Sequence, residues 1–324
     1  MMKFAYNELS GTYEGFCVLK SVESKVTAKG MPYLDMILSD ASGEISAKYW
    51  DYNPAAADPY LAGEIIKVRG TISQYNGADQ FRVERIRHAN ETDTYRMEDL
   101  VKAAEYDAQA MFEELKNAAL DMEDMHMKKL VLYLLEKNRE KLLFWPAAFK
   151  LHHAIRGGLL YHTLSILRLA QSVCTVYPHI NKDLLVAGAI LHDMAKLDEF
   201  QVNDTGIATG YSVEGNLIGH LAKGAILIDR AAKELGVPEE IAILLEHMVL
   251  SHHSEPEYGA AVRPMLLESE VLAELDLMDA RIYEMSEAIS ATEVGDFTGR
   301  MWALDNRKLF NHGMMPCEPK ANIL

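Results

Sequence analysis

Cysteine is scarce in this chain, and its scarcity argues against two kinds of site. Cys17, Cys174 and Cys317 are the three cysteines among 324 residues, and they lie far apart without a C-x-x-C spacing. An odd, scattered set of this kind argues against a disulfide framework and against a thiolate zinc site. We therefore expect three isolated, reduced thiols.

Long apolar runs and excess positive charge are also missing. The sequence start has no apolar run of signal-peptide length, and no later segment approaches the ~18 apolar residues of a spanning helix. We therefore expect a cytoplasmic protein. The formal net charge of −16 argues against a broad basic surface that coats nucleic acid, and it is compatible with a nuclease whose carboxylates face metal ions. The length indicates two domains.

The N-terminal part alternates apolar and polar side chains over residues 12–87, with turn signals such as Ser42-Gly43 and Asn76-Gly77. The pattern predicts five strands, at Thr12 to Lys20, Tyr33 to Ser39, Glu44 to Trp50, Glu64 to Gln74 and Gln80 to Arg87. Residues 53–62 form an Ala/Pro-rich insert, where we expect a short helix. Five strands with such an insertion predict an OB-fold, a small β-barrel that often binds single-stranded nucleic acid.

Aromatic and basic residues interleave along these strands, as in surfaces that stack bases and contact phosphates. Such positions are also what a barrel core needs, so each aromatic residue has a structural alternative. The candidate contacts to nucleic acid in this half are Tyr33, Tyr49, Trp50, Tyr75, Phe81, Lys48, Arg69 and Arg82. In the second half, Arg156 and Arg300 are further candidates.

The period of the apolar residues changes to 3.6 after a polar, acidic segment. Helices are predicted at Leu159 to Val173, Asp183 to Ala195, Gly215 to Leu235, Pro238 to Ser251 and Glu268 to Ser290. The sequence therefore predicts a multidomain chain, β and then α. An OB-fold domain would cover residues 1–90, a linker residues 91–108 and an all-α domain residues 109–324.

The all-α part is rich in metal-ligand side chains, and nine of the twelve histidines lie in residues 152–253. His192 and Asp193 end an otherwise apolar segment. A set of imidazoles and carboxylates without thiolates favours Mn²⁺, Fe²⁺ or Co²⁺ over a structural zinc. One predicted set is His162, His192, Asp193 and Asp276, and a second is His220, His252 and His253, with Asp193 bridging the two. A two-metal centre of this kind can activate a water and stabilise the leaving oxygen of a phosphodiester.

Lys196 follows the His-Asp pair by three to four residues, which would place it on the same helix face. Its ammonium could neutralise charge that develops on a phosphoryl oxygen. The alternative is that it interacts with the carbonyl end of the preceding helix.

The order His162, then His192-Asp193 with Lys196, then Asp276 resembles the HD phosphohydrolase superfamily, whose H…HD…D residues bind divalent metal. A closer resemblance is to the YhaM-type 3′-to-5′ exoribonucleases of bacteria, which join an OB-fold to an HD domain. The segments that carry this resemblance are residues 152–162, 189–196, 214–220, 250–253, 275–280 and 302–307.

The resemblance implies a metal-dependent exonuclease that shortens single-stranded RNA, and also single-stranded DNA, from the 3′ end and releases 5′-mononucleotides. It implies catalytic roles for Asp193 and Lys196 and one or two divalent ions, Mn²⁺ first, with Co²⁺, Fe²⁺ or Mg²⁺ as alternatives. The last ligand is Asp276 or Asp279.

Two other functions remain open at this stage. One is a phosphohydrolase that acts on a small nucleotide, and the other is a non-catalytic protein that binds single-stranded nucleic acid around a structural metal. The helical surface is compatible with a homo-oligomer, and no residue specifies one.

Overall fold

The structure is a computed structural model, and it describes residues 5–7, 11–54, 59–75, 77–149, 153–203 and 205–314. Within these ranges, no helix is both long and apolar enough to cross a membrane. Cys17 and Cys174 carry free thiols, and Cys317 lies outside the described residues.

The first half is a closed barrel. Its strands are β1 (Ala5–Asn7), β2 (Thr12–Val26), β3 (Pro32–Asp40), β4 (Gly43–Tyr49), β5 (Ile65–Tyr75) and β6 (Ala78–His88). β2 pairs with both β3 and β5, β3 pairs with β4, and β6 pairs with both β4 and β5, so the ring closes. The β4–β6 pairing is parallel and the others are antiparallel. The five strands β2 to β6 form the ring of an OB-type barrel, and β1 pairs with β2 alone. This confirms the predicted fold of this half.

Alternation along each strand builds the barrel core. Leu34, Met36 and Leu38 point inward from β3 and are almost fully buried, with Phe81 from β6 among them. Gly70 lies at a shift in the β5–β6 register, where an added Cβ would come within 2.0 Å of the carbonyl oxygen of Arg82. The barrel therefore closes tightly at this point because glycine has no side chain.

Two details of the barrel differ from the prediction. β2 continues to Val26 rather than ending at Lys20, because a bulge between Leu19 and Ser21 lets the strand bend and keep pairing with β3. The described residues of the insert, 53–54 and 59–62, contain turns and no helix. Residues 55–58, the middle of the predicted helical insertion, lie outside the described residues.

The second half is predominantly helical. Its helices are α1 (Met97–Leu100), α2 (Ala108–Leu120), α3 (Met125–Lys137), α4 (Arg139–Leu142), α5 (Gly158–Val176), α6 (Lys182–Leu191), α7 (Lys196–Glu199), α8 (Val213–Leu217), α9 (Gly219–Leu235), α10 (Glu239–Ser251) and α11 (Leu267–Ser290). The apolar faces of α2 to α7 and of α9 to α11 share one core. A hairpin of β7 (Phe200–Val202) and β8 (Ala208–Tyr211) interrupts the otherwise helical part.

Two predicted helices are shorter in the structure, and both breaks fall at candidate ligands. The helix expected to reach Ala195 ends at Leu191, with His192 as its C-cap and a turn before α7. The helix expected from Gly215 to Leu235 is divided near Gly219, whose φ is +72°. His192, Asp193 and His220 consequently lie at helix ends, where a side chain is not tied to the spacing of one helix.

The barrel and the helical part contact each other through apolar and polar groups. Val18 of β2 packs in a cluster with Leu100 and Val101, and Ile207 of the β7–β8 hairpin joins this cluster. Asn203 Nδ2 donates to the carbonyl oxygen of Gly63 at 2.6 Å. The hairpin therefore packs against the barrel at Val18 and Gly63.

Candidate metal centre

Residues from three parts of the helical half meet at His162 Nε2. Asp276 Oδ1 from α11 lies 3.1 Å away, His192 Nε2 lies 3.3 Å away, and Asp193 Oδ2 lies 3.5 Å away. His162 and His192 are fully buried, and Asp193 is 2% exposed. We call His162, His192 and Asp276 the inner cluster.

The opposite oxygen of Asp193 faces a second group of histidines. Asp193 Oδ1 lies 3.5 Å from His220 Nε2 and 3.6 Å from His252 Nε2. His220, His252 and His253 could hold one metal ion, because each offers a nitrogen within 4.8 Å of the others. We call these three residues the cleft cluster. Asp193 therefore stands between the two clusters, with one oxygen toward each.

The Nδ1 atoms of four histidines face oxygen acceptors behind the centre. His162 Nδ1 lies 2.8 Å from Asp279 Oδ2, and His220 Nδ1 lies 3.1 Å from Glu199 Oε1. His192 and His252 donate to backbone carbonyl oxygens three residues earlier, each at 2.8 Å. Such partners fix the tautomer and orientation of a metal-ligating imidazole. They place the proton of a neutral ring on Nδ1 and leave a lone pair on Nε2.

Asp193 and two histidines of the cleft cluster present buried hydrogen-bond acceptors that face one another. Asp193 Oδ1, His220 Nε2 and His252 Nε2 have no hydrogen-bond partner within the described part of the chain. Buried polar atoms without partners are rare and costly, and lone pairs that converge on one point repel each other unless a cation lies between them. These residues fit a divalent metal ion.

The charges in the centre shift its pKa values. Burial raises the pKa of Asp193, but Lys196 and His192 lower it more, so the carboxylate stays ionised. Burial lowers the pKa of His162, while its hydrogen bonds to the carboxylates of Asp276 and Asp279 raise the pKa to about 9 overall. For His252, burial dominates and lowers the pKa to about 3. The carboxylates around His162 therefore favour a positive charge at this point, and His252 is a neutral ligand.

Lys196 contacts the shared carboxylate directly. Its Nζ lies 2.6 Å from Asp193 Oδ2, and Trp145 Nε1 donates to the Lys196 backbone oxygen at 2.9 Å. Burial lowers the pKa of Lys196, but the charge of Asp193 raises it more, so the ammonium stays protonated. The expected single helix face is wrong, because a turn separates Asp193 from α7.

Three supporting residues complete the centre. Asp279 lies behind His162 and also accepts at 2.9 Å from His153 Nε2, whereas Asp276 faces the Nε2 side of His162. The sequence does not distinguish Asp276 from Asp279 as the last ligand, and no motif in it marks His153 or Glu199. Glu199 follows Lys196 by three residues in an acidic α7, a spacing that gives no metal-ligand signal of its own.

An open cleft of about 810 Å³ reaches the centre from the surface. Lys196, His220, His252, His253 and Asp276 line its polar floor. His162 and His192 lie behind that floor. Cavities of this size hold small ligands or one end of a larger one.

The residues predicted to contact nucleic acid divide among several surfaces. Tyr33 and Trp50 stack with ring centroids 4.6 Å apart, and Lys48 Nζ lies 5.3 Å from the Tyr33 centroid. Tyr49 packs partly against the barrel core. Phe81 is fully buried there, so its prediction as a stacking residue is wrong. The side chain of Tyr75 lies outside the described residues.

The predicted arginines lie in different places. Arg82 follows Phe81 on β6 beside Lys48 of β4, and Arg69 of β5 lies in a groove with Lys67, Arg85 and Arg87. Arg156 packs over the ring of Phe144, 5.3 Å from its centroid, and is half-buried. Arg300 is exposed in the C-terminal segment, where its side chain donates to the Asn306 oxygen.

Comparison with known protein families gives a match to the HD domain over residues 159–281. The helical part contains an HD domain. The matched range begins in α5 and ends in α11, and it includes every residue of the inner and cleft clusters. This domain indicates a metal-dependent phosphohydrolase.

Solved structures similar to this chain include OB-fold proteins. PriB from Ralstonia solanacearum is 17% identical, with 25% of this chain and 98% of that chain covered and a TM-score of 0.22. The second OB-fold domain of replication protein A from Methanococcus maripaludis is 17% identical, with 26% and 88% covered and a TM-score of 0.20. A replication protein A heterotrimer bound to ssDNA is 15% identical, with 25% and 59% covered and a TM-score of 0.21.

Proposed function

We propose that the protein is a metal-dependent 3′-to-5′ exoribonuclease that hydrolyses single-stranded RNA, and also single-stranded DNA, to 5′-mononucleotides. The observation that carries the proposal is the convergence of two ligand clusters on Asp193 at the floor of an open cleft, with Lys196 beside them. The direction of hydrolysis and its products rest on the sequence resemblance described above.

In this proposal, His162, His192, Asp193 and Asp276 bind one ion, and His220, His252 and His253 bind a second with the other oxygen of Asp193. Asp276 is preferred to Asp279 because it faces the Nε2 side of His162. Divalent ions held there would activate a water and stabilise charge on the phosphoryl oxygens. Mn²⁺ suits this mixed set of imidazoles and carboxylates. Lys196 adds a fixed positive charge next to the reacting phosphate.

The barrel supports a polymeric substrate. The stacked Tyr33–Trp50 pair is partly exposed, and Lys48 is adjacent to Arg82 across the β4–β6 pairing. Aromatic faces beside basic side chains bind single strands with little base preference. We infer that Tyr33, Trp50, Lys48 and Arg82 guide the strand.

A time course with a 5′-labelled single-stranded RNA oligomer tests the proposal. We expect a ladder that shortens from the 3′ end with Mn²⁺, and no cleavage with EDTA or in Asp193→Ala. An intact oligomer with every divalent ion tested would refute the exonuclease.

A small-nucleotide substrate is the second candidate, because the cleft volume of about 810 Å³ lies within the range of small-molecule sites. The same preparation should be given a panel of nucleotides and the oligomer. Turnover of a nucleotide that exceeds turnover of the oligomer would favour this candidate.

A further inference from the structure

The cleft has an aromatic wall that the metal centre does not explain. Phe149, Tyr211 and Trp302 line the cleft together with its polar floor. The Phe149 and Tyr211 centroids lie 5.9 Å apart, and Phe200 packs against Tyr211 in a T-shaped contact at 5.3 Å. Phe200 is buried, whereas Tyr211 is 44% exposed. The wall therefore presents aromatic surface to the cleft over a packed support.

Trp302 is 73% exposed although its loop is firmly held. Met301 N donates to the Arg307 oxygen at 3.0 Å, and Leu304 is 1% exposed, so it anchors the loop in the protein. A tryptophan with only a structural role would be buried, as the neighbouring Leu304 is. An exposed aromatic residue on a braced loop at the edge of a cleft is typical of a binding surface.

The floor and the wall offer complementary chemistry to one ligand. Lys196 and metal ions held by the ligands would attract an anion, and the aromatic wall would stack against a flat, apolar ring. A nucleotide has both parts joined by a sugar. Stacking on an aromatic side chain favours every nucleobase, because each has a π face.

We propose that Phe149, Tyr211 and Trp302 form a subsite that stacks one unpaired nucleobase beside the phosphate at the metal centre. This inference rests on the proposed function, since it names the part of the substrate that the cleft recognises. The subsite accepts any base and excludes a base that is paired, because the partner strand would occupy the space of the wall. The cleft, like the barrel, therefore accepts only a single-stranded end of the substrate.

Binding of AMP and ribose 5-phosphate tests the subsite without catalysis. The two ligands share the sugar and phosphate and differ in the base. Calorimetric titrations in excess Mn²⁺ should compare the full-length protein with Trp302→Ala, Trp302→Phe and Phe297→Ala. Phe297 is the matched control, because it is 63% exposed in the same C-terminal segment and does not line this cleft.

We expect the unchanged protein to bind AMP at least about tenfold more tightly than ribose 5-phosphate. Trp302→Ala should lose most of this preference, while Trp302→Phe and Phe297→Ala keep it. Equal binding of the two ligands by the unchanged protein would overturn the subsite. So would an unaltered preference in Trp302→Ala, or equal weakening of both ligands in that variant.

The result is independent of the RNA time course. A protein that prefers AMP but leaves RNA intact would lose the proposed exonuclease and keep the subsite. A protein that shortens RNA but shows no preference for AMP would keep the exonuclease and lose the subsite.

Discussion

The two clusters on either side of Asp193 have similar supports and different surroundings. Each contains one histidine held by a carboxylate and one held by a backbone carbonyl. In the inner cluster the two histidines are fully buried, and Asp276 adds a second carboxylate beside Asp193. The cleft cluster consists of three imidazoles and lines the cleft. The Nε2 atoms of His220 and His252 have no hydrogen-bond partner among the described residues. We therefore expect the inner cluster to bind its ion more tightly, and we expect an ion at the cleft cluster to exchange a ligand with the substrate.

The largest expected effect is that of Asp193→Asn, because this residue faces both clusters. We expect both metal sites to weaken and turnover to fall by at least about 10³-fold, since loss of even one charge-stabilising group costs about 10²–10³ in kcat. Metal content after dialysis and the rate on the labelled oligomer measure the two effects. Asp198→Asn is the matched control, because Asp198 lies five residues away with a side chain that is 40% exposed. Loss of one ion alone would show that Asp193 is not shared.

Lys196→Met should separate catalysis from metal binding. The ammonium competes with an ion for Asp193 Oδ2, so its removal should not weaken the inner metal site. The same change should lower kcat by about 10²-fold or more, because a positive charge at the reacting phosphate is lost. Stopped-flow rates and metal titrations on one preparation provide both values. A kcat within a few-fold of the unchanged protein would remove Lys196 from the mechanism.

Asp279→Asn and Glu199→Gln test the two supports separately. Each change keeps the side-chain shape and removes a negative charge, behind His162 and His153 in Asp279→Asn and behind His220 in Glu199→Gln. We expect about a 10- to 100-fold loss of metal affinity, for the inner ion in Asp279→Asn and for the cleft ion in Glu199→Gln. Competition titrations with a metal-binding dye report the two affinities. If both variants weakened the same ion, the division into two clusters would be wrong.

Much of this arrangement could be predicted from the sequence because it depends on local chemistry. Strand alternation predicted the barrel, and histidines and aspartates without thiolates predicted the kind of ligand set. The helix break after Leu191 could not be predicted, because Met194 and Ala195 are good helix formers and tertiary packing overrides their propensity. Glu199 and His153 were missed because nothing in their spacing marks them. Their roles depend on contacts with His220 and Asp279, 21 and 126 residues away.

The smallest expected effect is thermal stabilisation by metal, and it compares the two clusters most directly. Mn²⁺ at one hundred times its dissociation constant should stabilise the folded state by about 2.7 kcal/mol per site, which corresponds to several degrees in Tm. His162→Ala should lose the rise in Tm that appears at low Mn²⁺ concentration, because the ion at the inner cluster would lie beside the carboxylates of both Asp276 and Asp193. His252→Ala should lose only the rise in Tm that appears at higher Mn²⁺ concentration. Differential scanning fluorimetry over a Mn²⁺ series measures both, and a reversed order would show that the cleft cluster holds the tighter ion.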